Sequence, residues 1–136
     1  MVAAVDAWVD AAQIWTRQSS PEKWSSLQNG IGYQLVLIGE GEGNNPARFE
    51  AAIPILRDAL AVQTALKTSD AALTADSLCR ALRNLGTVRS DRSMMLEAKG
   101  FCINALDTLV KLGATNVAQE TRDNLKIIEE ALAALP

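Results

Sequence analysis

Histidine is absent from the 136 residues. That excludes the serine and cysteine hydrolase arrangements that use an imidazole base, and the usual zinc sites. Carboxylate, lysine and tyrosine chemistry remain, but their carriers are scattered. Glu97 and the Glu129-Glu130 pair sit at solvent-like positions, and no nucleophile–base pair is legible. Cys79 and Cys102 are too far apart for a CxxC motif and too few for a disulfide scaffold, so they read as two small buried residues in a reducing compartment. The segment Gly39-Glu40-Gly41-Glu42-Gly43-Asn44-Asn45 is rich in side-chain oxygens. It lacks the ligand spacing and terminal bidentate Glu of a calcium loop, and its glycines lack the Lys-Ser/Thr ending of a phosphate loop. Neither a metal nor a cofactor is expected, and the chain does not read as an enzyme. The residues with the clearest chemical potential are Arg80 and Arg83. Three apart on a helix, they point the same way and could hold a carboxylate or phosphate bidentately. The plainer alternative is that both are solvated, with Arg80 paired to Asp76 one turn away. Arg89 and Arg92, around Asp91, read as a solubilising surface.

The elements that position these residues are helices. The chain is 49% hydrophobic but only 4% aromatic, with Gly at 8 and Pro at 4. A core rich in Ala and Leu, with few breakers, is a helical balance, and its length suits one domain. The net charge of −3 gives no support for a nucleic-acid partner. The opening Met1-Val2-Ala3-Ala4-Val5-Asp6 lacks the basic and apolar regions of a secretory signal. The longest uncharged stretch, 24–39, is too polar to span a bilayer. The expectation is a cytoplasmic chain with no membrane contact.

Start and stop signals divide the chain into six helices, over about 3–18, 21–38, 46–67, 70–85, 91–112 and 116–134. Ser20-Pro21 and Asn45-Pro46 pair an N-cap with a first-turn proline, and Ser69-Asp70 offers two caps. Asn116 with Gln119 resembles a capping box. Gly39, Gly86 and Gly113 are expected to close helices. Pro54 predicts a kink, or a helix that begins late near Ala51.

The helices repeat. A step of 47 relates Trp24, Ala71 and Ala118, then Ile31, Leu78 and Leu125, then Gly39 and Gly86. A step of 46 carries Ala52, Leu56 and Ala59 onto Ala98, Cys102 and Ala105, and the first helix offers Ala4, Trp8 and Ala11. Small residues seven apart let two backbones approach in a hairpin, with the larger residue between them plugging the seam. Gly32 and Cys79 are the small positions on the facing helices. One hairpin cannot bury its second apolar face; the next one does so by stacking. Trp8, Trp15 and Trp24 are expected to pack in the core near the start of the chain rather than to form a self-association patch.

These residues resemble the tetratricopeptide (TPR) repeat. Asn29-Gly30-Ile31-Gly32 through Ile38-Gly39, then Glu50-Ala51-Ala52-Ile53 through Asp58-Ala59-Leu60, is similar to the pattern NLG…LG…EEAI…AL. Pro21 to Asn29 resembles the longer bacterial subtype, P-x-x-W-A-x-T-Q-N, whose extended inter-helix loop suits a 47-residue step. The resemblance implies an all-α superhelix, a solenoid of about six antiparallel helices in one domain. Its parts would be a half repeat at 1–20, repeats at 21–67 and 70–112, and a terminal helix at 116–134. Lys126 stands where Gly32 and Cys79 stand, so the last helix is expected to be a solvating cap.

The resemblance further implies that the first-type helices line a concave groove. Its positions would be Ser26, Asn29, Tyr33, Val36 and Leu37; then Leu73, Asp76, Arg80, Arg83 and Asn84; then Glu120, Asp123, Ile127 and Glu130. Asn29, Tyr33, Leu37, Asp76, Arg80, Arg83 and Asn84 are the expected partner-binding residues. Amides would bond the backbone of an extended peptide, and guanidinium groups its acid. The expected function is a protein-interaction scaffold that binds a peptide or helix of another protein. The alternatives are a homo-oligomer assembled through its terminal helices, or a recruiting segment of a larger enzyme.

Overall fold

The computed structural model describes residues 5–7, 9 and 15–135. Five helices lie wholly within them: α1 (Pro21–Gly41), α2 (Pro46–Leu66), α3 (Asp70–Arg89), α4 (Arg92–Lys111) and α5 (Thr115–Ala134). Residues 5–7 and 9 are also helical, and no strand occurs among the described residues. The chain is all-α. The helix expected over 3–18, with its Ala4, Trp8 and Ala11, falls largely outside the described residues. Its expected end is corrected, because 15–20 form a bend and turn that Ser20 N–H closes on the Thr16 carbonyl at 3.0 Å.

Cap chemistry explains most boundaries. Pro21 and Pro46 open α1 and α2 where their missing N–H costs nothing. Asn45 accepts the Ala47 N–H at 3.1 Å, and Asp91 accepts the Met94 N–H at 3.0 Å. Asp91 is thus the N-cap of α4 as well as a surface charge. The expected capping box does not form: α5 starts after Ala114, and Gln119 donates instead to Asp123 at 3.0 Å. α2 runs unbroken from Pro46 through Pro54, so it does not begin late.

Two glycines do something other than expected. α1 and α3 run past Gly39 and Gly86 to Gly41 and Arg89. The left-handed residues that end helices are Lys67 (φ 57°), Ser90 (φ 49°) and Gly113 (φ 73°). Gly39 and Gly86 are small because the next helix presses on them. A Cβ on Gly39 would lie 2.7 Å from the Phe49 ring, and one on Gly86 3.1 Å from the Met95 side chain. Both carbonyls also receive the N-cap of the following helix, from Asn45 and Asp91, each at 2.9 Å.

The seams follow the 47-residue step. Gly32 meets Leu56 so closely that a Cβ would lie 2.5 Å from it. One repeat later Cys79 meets Cys102, and the two are joined in a disulfide with Cα atoms 5.5 Å apart. Both are fully buried, as expected, but they are not free thiols. Ala52, Ala59, Ala98 and Ala105 flank the plugs, all buried.

Each helix packs on its sequence neighbours. In addition α1 touches α3 and α3 touches α5, while no comparable backbone approach joins α2 to α4 or α1 to α5. Thus α1, α3 and α5 lie side by side in one layer, and α2 and α4 cover the other side. The main core runs through both hairpins from Ile31, Leu35 and Phe49 to Leu78, Leu82 and Ile128. Lys126 is exposed.

Candidate functional site

The α1–α3–α5 layer carries most of the polar residues picked out from the sequence. Positions 29, 33, 36 and 40 of α1 lie about one turn apart, and the 47-residue step brings 76, 80, 83 and 87 of α3 alongside. Arg80 and Arg83 are neither solvated nor paired to Asp76. The partner of Arg80 is Glu40: Nε donates to Oε2 at 2.7 Å and Nη2 to Oε1 at 2.6 Å. Asn84 Nδ2 donates to the same Oε2 at 2.7 Å. Arg83 Nη2 comes only to 3.8 Å from it. The Arg80 guanidinium also stands over the Tyr33 ring, 5.9 Å from its centroid, in the range of a cation–π contact.

Burial and charge set the ionisation of this group. Burial works to raise the Glu40 pKa. The hydrogen bonds from Arg80 and Asn84, with the charges of Arg80 and Arg83, outweigh it and hold the carboxyl below its ordinary value. The bond to Glu40 pushes Arg80 further up. Arg83 is pulled down, first by burial and then by Arg80, against the favourable charge of Glu40. Its Nε is buried without a hydrogen-bond partner among the described residues. Arg83 is therefore the less satisfied of the two cations.

Asp76 belongs to another contact. It is 8% exposed and accepts the Thr121 hydroxyl from α5 at 2.5 Å. Burial first, then the charge of Glu120, raises its pKa against the pull of Thr121 and Arg80. One repeat earlier, Asn29 Oδ1 and Thr74 Oγ1 stand at the same two positions, and both are buried without a partner among the described residues. The α3–α5 bond has no α1–α3 counterpart.

A cavity of about 370 Å³ opens beside the cluster, lined by Glu40, Asn44, Arg80, Arg83, Asn84 and Thr87 with Val88 and Ile127. Arg80, Arg83, Asn84 and Ile127 thus share one groove, and Tyr33 supports Arg80 from beneath. Leu37 is half-buried and does not line the cavity. Val36, expected to face the groove, is buried in the core. Ser26, Leu73, Glu120, Asp123 and Glu130 are exposed.

Glu40 is the residue that sequence reasoning missed. Ending α1 at Gly39 consigned it to the oxygen-rich loop. Carrying the helix one turn further puts Glu40 seven residues after Tyr33, on the same face. Glu42, the other acid of that segment, pairs with Arg48 at 2.8 Å and accepts from Asn45 at 3.2 Å. Compared with known protein families, curated proteins and solved structures, the chain finds no match.

Proposed function

We propose that the chain is a TPR-like solenoid that binds an extended peptide or a helix of another protein on its α1–α3–α5 face. The packing order supports the architecture: hairpin stacks on hairpin, first-type helices touch one another, and α1 does not meet α5. The observation that carries the binding reading is Arg83. Its Nε is buried without a partner among the described residues, which is costly, and the Arg83 side chain lines a cavity together with the apolar Val88 and Ile127. Asn84 and the Arg80–Tyr33 stack would flank a bound chain, with Asn29, Leu37 and Asp76 further along the layer. The role is that of a binding module, without catalysis or a cofactor.

The test is an array of random peptides probed with the wild-type protein and with Arg80→Glu/Arg83→Glu. The wild type should select a family of sequences, and the double variant should lose them while keeping a helical circular-dichroism spectrum and a cooperative melt. Equal selection by both proteins rejects the groove.

A second reading, self-assembly, has one specific observation behind it. Leu96, Ile103 and Val110 form a stripe on α4 and are 49%, 51% and 51% exposed. The matching positions on α2 are Glu50, Arg57 and Thr64, and the first two are ion-paired to Arg89 and Glu97. Sedimentation at high micromolar concentration decides it, since a strict monomer rejects assembly through α4.

No helix among the described residues is long and apolar enough to cross a membrane. The cytoplasmic location expected from the sequence went with a reading of Cys79 and Cys102 as reduced thiols. A sealed disulfide suits an oxidising compartment instead, and that is the location we favour. Thiol titration of denatured protein from its native source tests this: two reactive thiols would return it to the cytoplasm.

A further inference from the structure

We propose that Glu40 is an internal stand-in for the ligand: a side-chain carboxylate parked in the fork of Arg80 and Asn84, which an internal glutamate of a partner peptide must displace to engage Arg83. The inference rests on the binding reading above and adds the chemistry of the ligand and what holds the site closed.

The geometry points to displacement for three reasons. First, the fork holds a carboxylate in a full set of contacts, two from Arg80 and one from Asn84, at 2.6–2.7 Å. The groove thereby displays the group it recognises, and that group is a glutamate side chain. Second, Glu40 serves the two cations unequally. It hydrogen-bonds Arg80 but pairs with Arg83 only at 3.8 Å, beyond hydrogen-bond distance, and Arg83 Nε has no partner among the described residues. A carboxylate entering from the cavity side would trade Glu40's bonds one for one and add a bond from the Nη end of Arg83, which Glu40 does not reach at hydrogen-bond distance. Third, Glu40 can leave. It sits in the last turn of α1, 23% exposed, before Gly41, which has no neighbour within 4 Å of a would-be side chain. A swing about its own side-chain torsions releases the fork without moving a helix.

The consequence is selectivity. A tethered carboxylate has a high effective concentration, so a free acidic amino acid cannot compete with it. A peptide competes only by adding contacts elsewhere, and the apolar residues that line the cavity beside the fork are Val88 and Ile127. The partner is therefore a segment with a glutamate next to an apolar residue. Affinity in the wild type is reduced by the fraction of time the fork stands empty. The Arg80–Glu40 pair would otherwise be a plain tie between α1 and α3. Thr87, at the corresponding position one repeat later, makes no such cross-layer tie: it bonds the Arg83 carbonyl of its own helix at 2.8 Å and reaches Met95 Sδ on α4 at 4.0 Å.

The experiment uses C-terminally amidated fluorescent peptides, so that no terminal carboxylate is present. One set has a central Glu beside Leu, and a matched set has Gln in its place. Binding is measured by fluorescence anisotropy to wild type, Glu40→Gln, Glu40→Thr and Glu40→Gln/Arg83→Gln, with melting curves for each. If the fork is occupied nine-tenths of the time or more, removing Glu40 should tighten the Glu peptides by about tenfold or more. The Gln peptides should be unaffected, and Arg83→Gln should erase the gain. Glu40→Thr carries the test if Glu40→Gln melts early, because Thr is the residue the next repeat uses there. Unchanged or weaker Glu-peptide binding in both Glu40 variants makes Glu40 a helix tie and overturns the proposal. If Gln peptides bind all proteins as well as Glu peptides do, the groove reading survives and the displacement idea falls. Failure of every peptide on the Glu40 variants also overturns it.

Discussion

In the α1–α2 hairpin Gly32 receives Leu56; in the α3–α4 hairpin the same two positions are Cys79 and Cys102, and a covalent bond replaces the nesting of a leucine into a glycine notch. The contrast continues outward. α2 turns Glu50 and Arg57 to its neighbours as ion pairs, whereas α4 turns Leu96, Ile103 and Val110 to solvent. In the interior, Gln63 of α2 is buried where α4 has the buried Leu109. Both hairpins close with a buried plug between buried alanines. The backbone therefore demands only a short reach across the seam and alanines beside it, and the filling is free to vary. Where one hairpin has chemistry its twin manages without, that chemistry is not needed for the fold.

Breaking the seams gives the largest effects. Leu56→Ala leaves a cavity in a fully buried site and should cost about 2–5 kcal/mol. Cys79→Ala/Cys102→Ala reopens a loop of 23 positions and should cost on the order of 3 kcal/mol. Denaturant titrations separate the two mechanisms. The cysteine variant should lose stability without dependence on reductant, while wild type loses a similar amount when unfolded in the presence of a strong reducing agent. Cys79→Gly/Cys102→Leu would sharpen the contrast by copying the first seam into the second. It should recover part of the loss, because a leucine in a glycine notch already works one repeat earlier. A loss equal to that of the double alanine variant would show that the two seams are not equivalent.

The repeat itself was legible because its signals are steric. Alanines seven apart and glycines 47 apart report close backbone approach, and the same residues that revealed the register also placed Cys102 opposite Cys79. The covalent bond was not legible, because the same small size serves a buried thiol and a half-cystine alike. The helix ends failed for a related reason. Gly39 and Gly86 were read for their freedom of φ, when their value lies in lacking a side chain under Phe49 and Met95. That single error hid Glu40. Arg80, Arg83 and Asn84 were legible as a face because they share one helix, but their shared partner lies on another helix, 40 or more positions away. Asp76 was assigned to Arg80 by the nearness of one turn, and it lost that partner to the closer fit of Glu40.

An intermediate effect probes the interior difference. Both amide atoms of Gln63 are buried without a hydrogen-bond partner among the described residues, which carries the desolvation cost of a polar group and none of the return. Gln63→Leu copies the choice made at Leu109 and should raise stability by about 1–2 kcal/mol, read as a higher denaturant midpoint at unchanged slope. Destabilisation would mean that ordered water completes the amide, and that the first hairpin's polar interior is a hydrated site.

The smallest effects separate the two carboxylates that flank Arg80, one from each hairpin. Glu40 is held below its ordinary value near 4.5, so its stabilising contribution is complete above that value and is lost as pH falls through the lower folded value. Asp76 is held above its ordinary value near 3.8, so its charge costs stability at neutral pH, and acidification through its raised folded value relieves that cost. The two slopes have opposite signs: acidification favours the fold through Asp76, a rise that sets in above its ordinary value, and opposes it through Glu40 below its own. Asp76→Asn keeps an oxygen to accept the Thr121 hydroxyl, as Asn29 could at the same position one repeat earlier. The variant should gain stability at pH 7 and lose the mild-acid rise. Glu40→Gln should instead flatten the fall below pH 4.5, with a change of about 0–1 kcal/mol at neutral pH, the usual worth of an ion pair near the surface. Melting temperatures across pH 3–7 for wild type and both variants check the signs independently. A mild-acid rise that persists in Asp76→Asn would assign it to another carboxylate and leave the Asp76–Thr121 contact between α3 and α5 without an electrostatic cost.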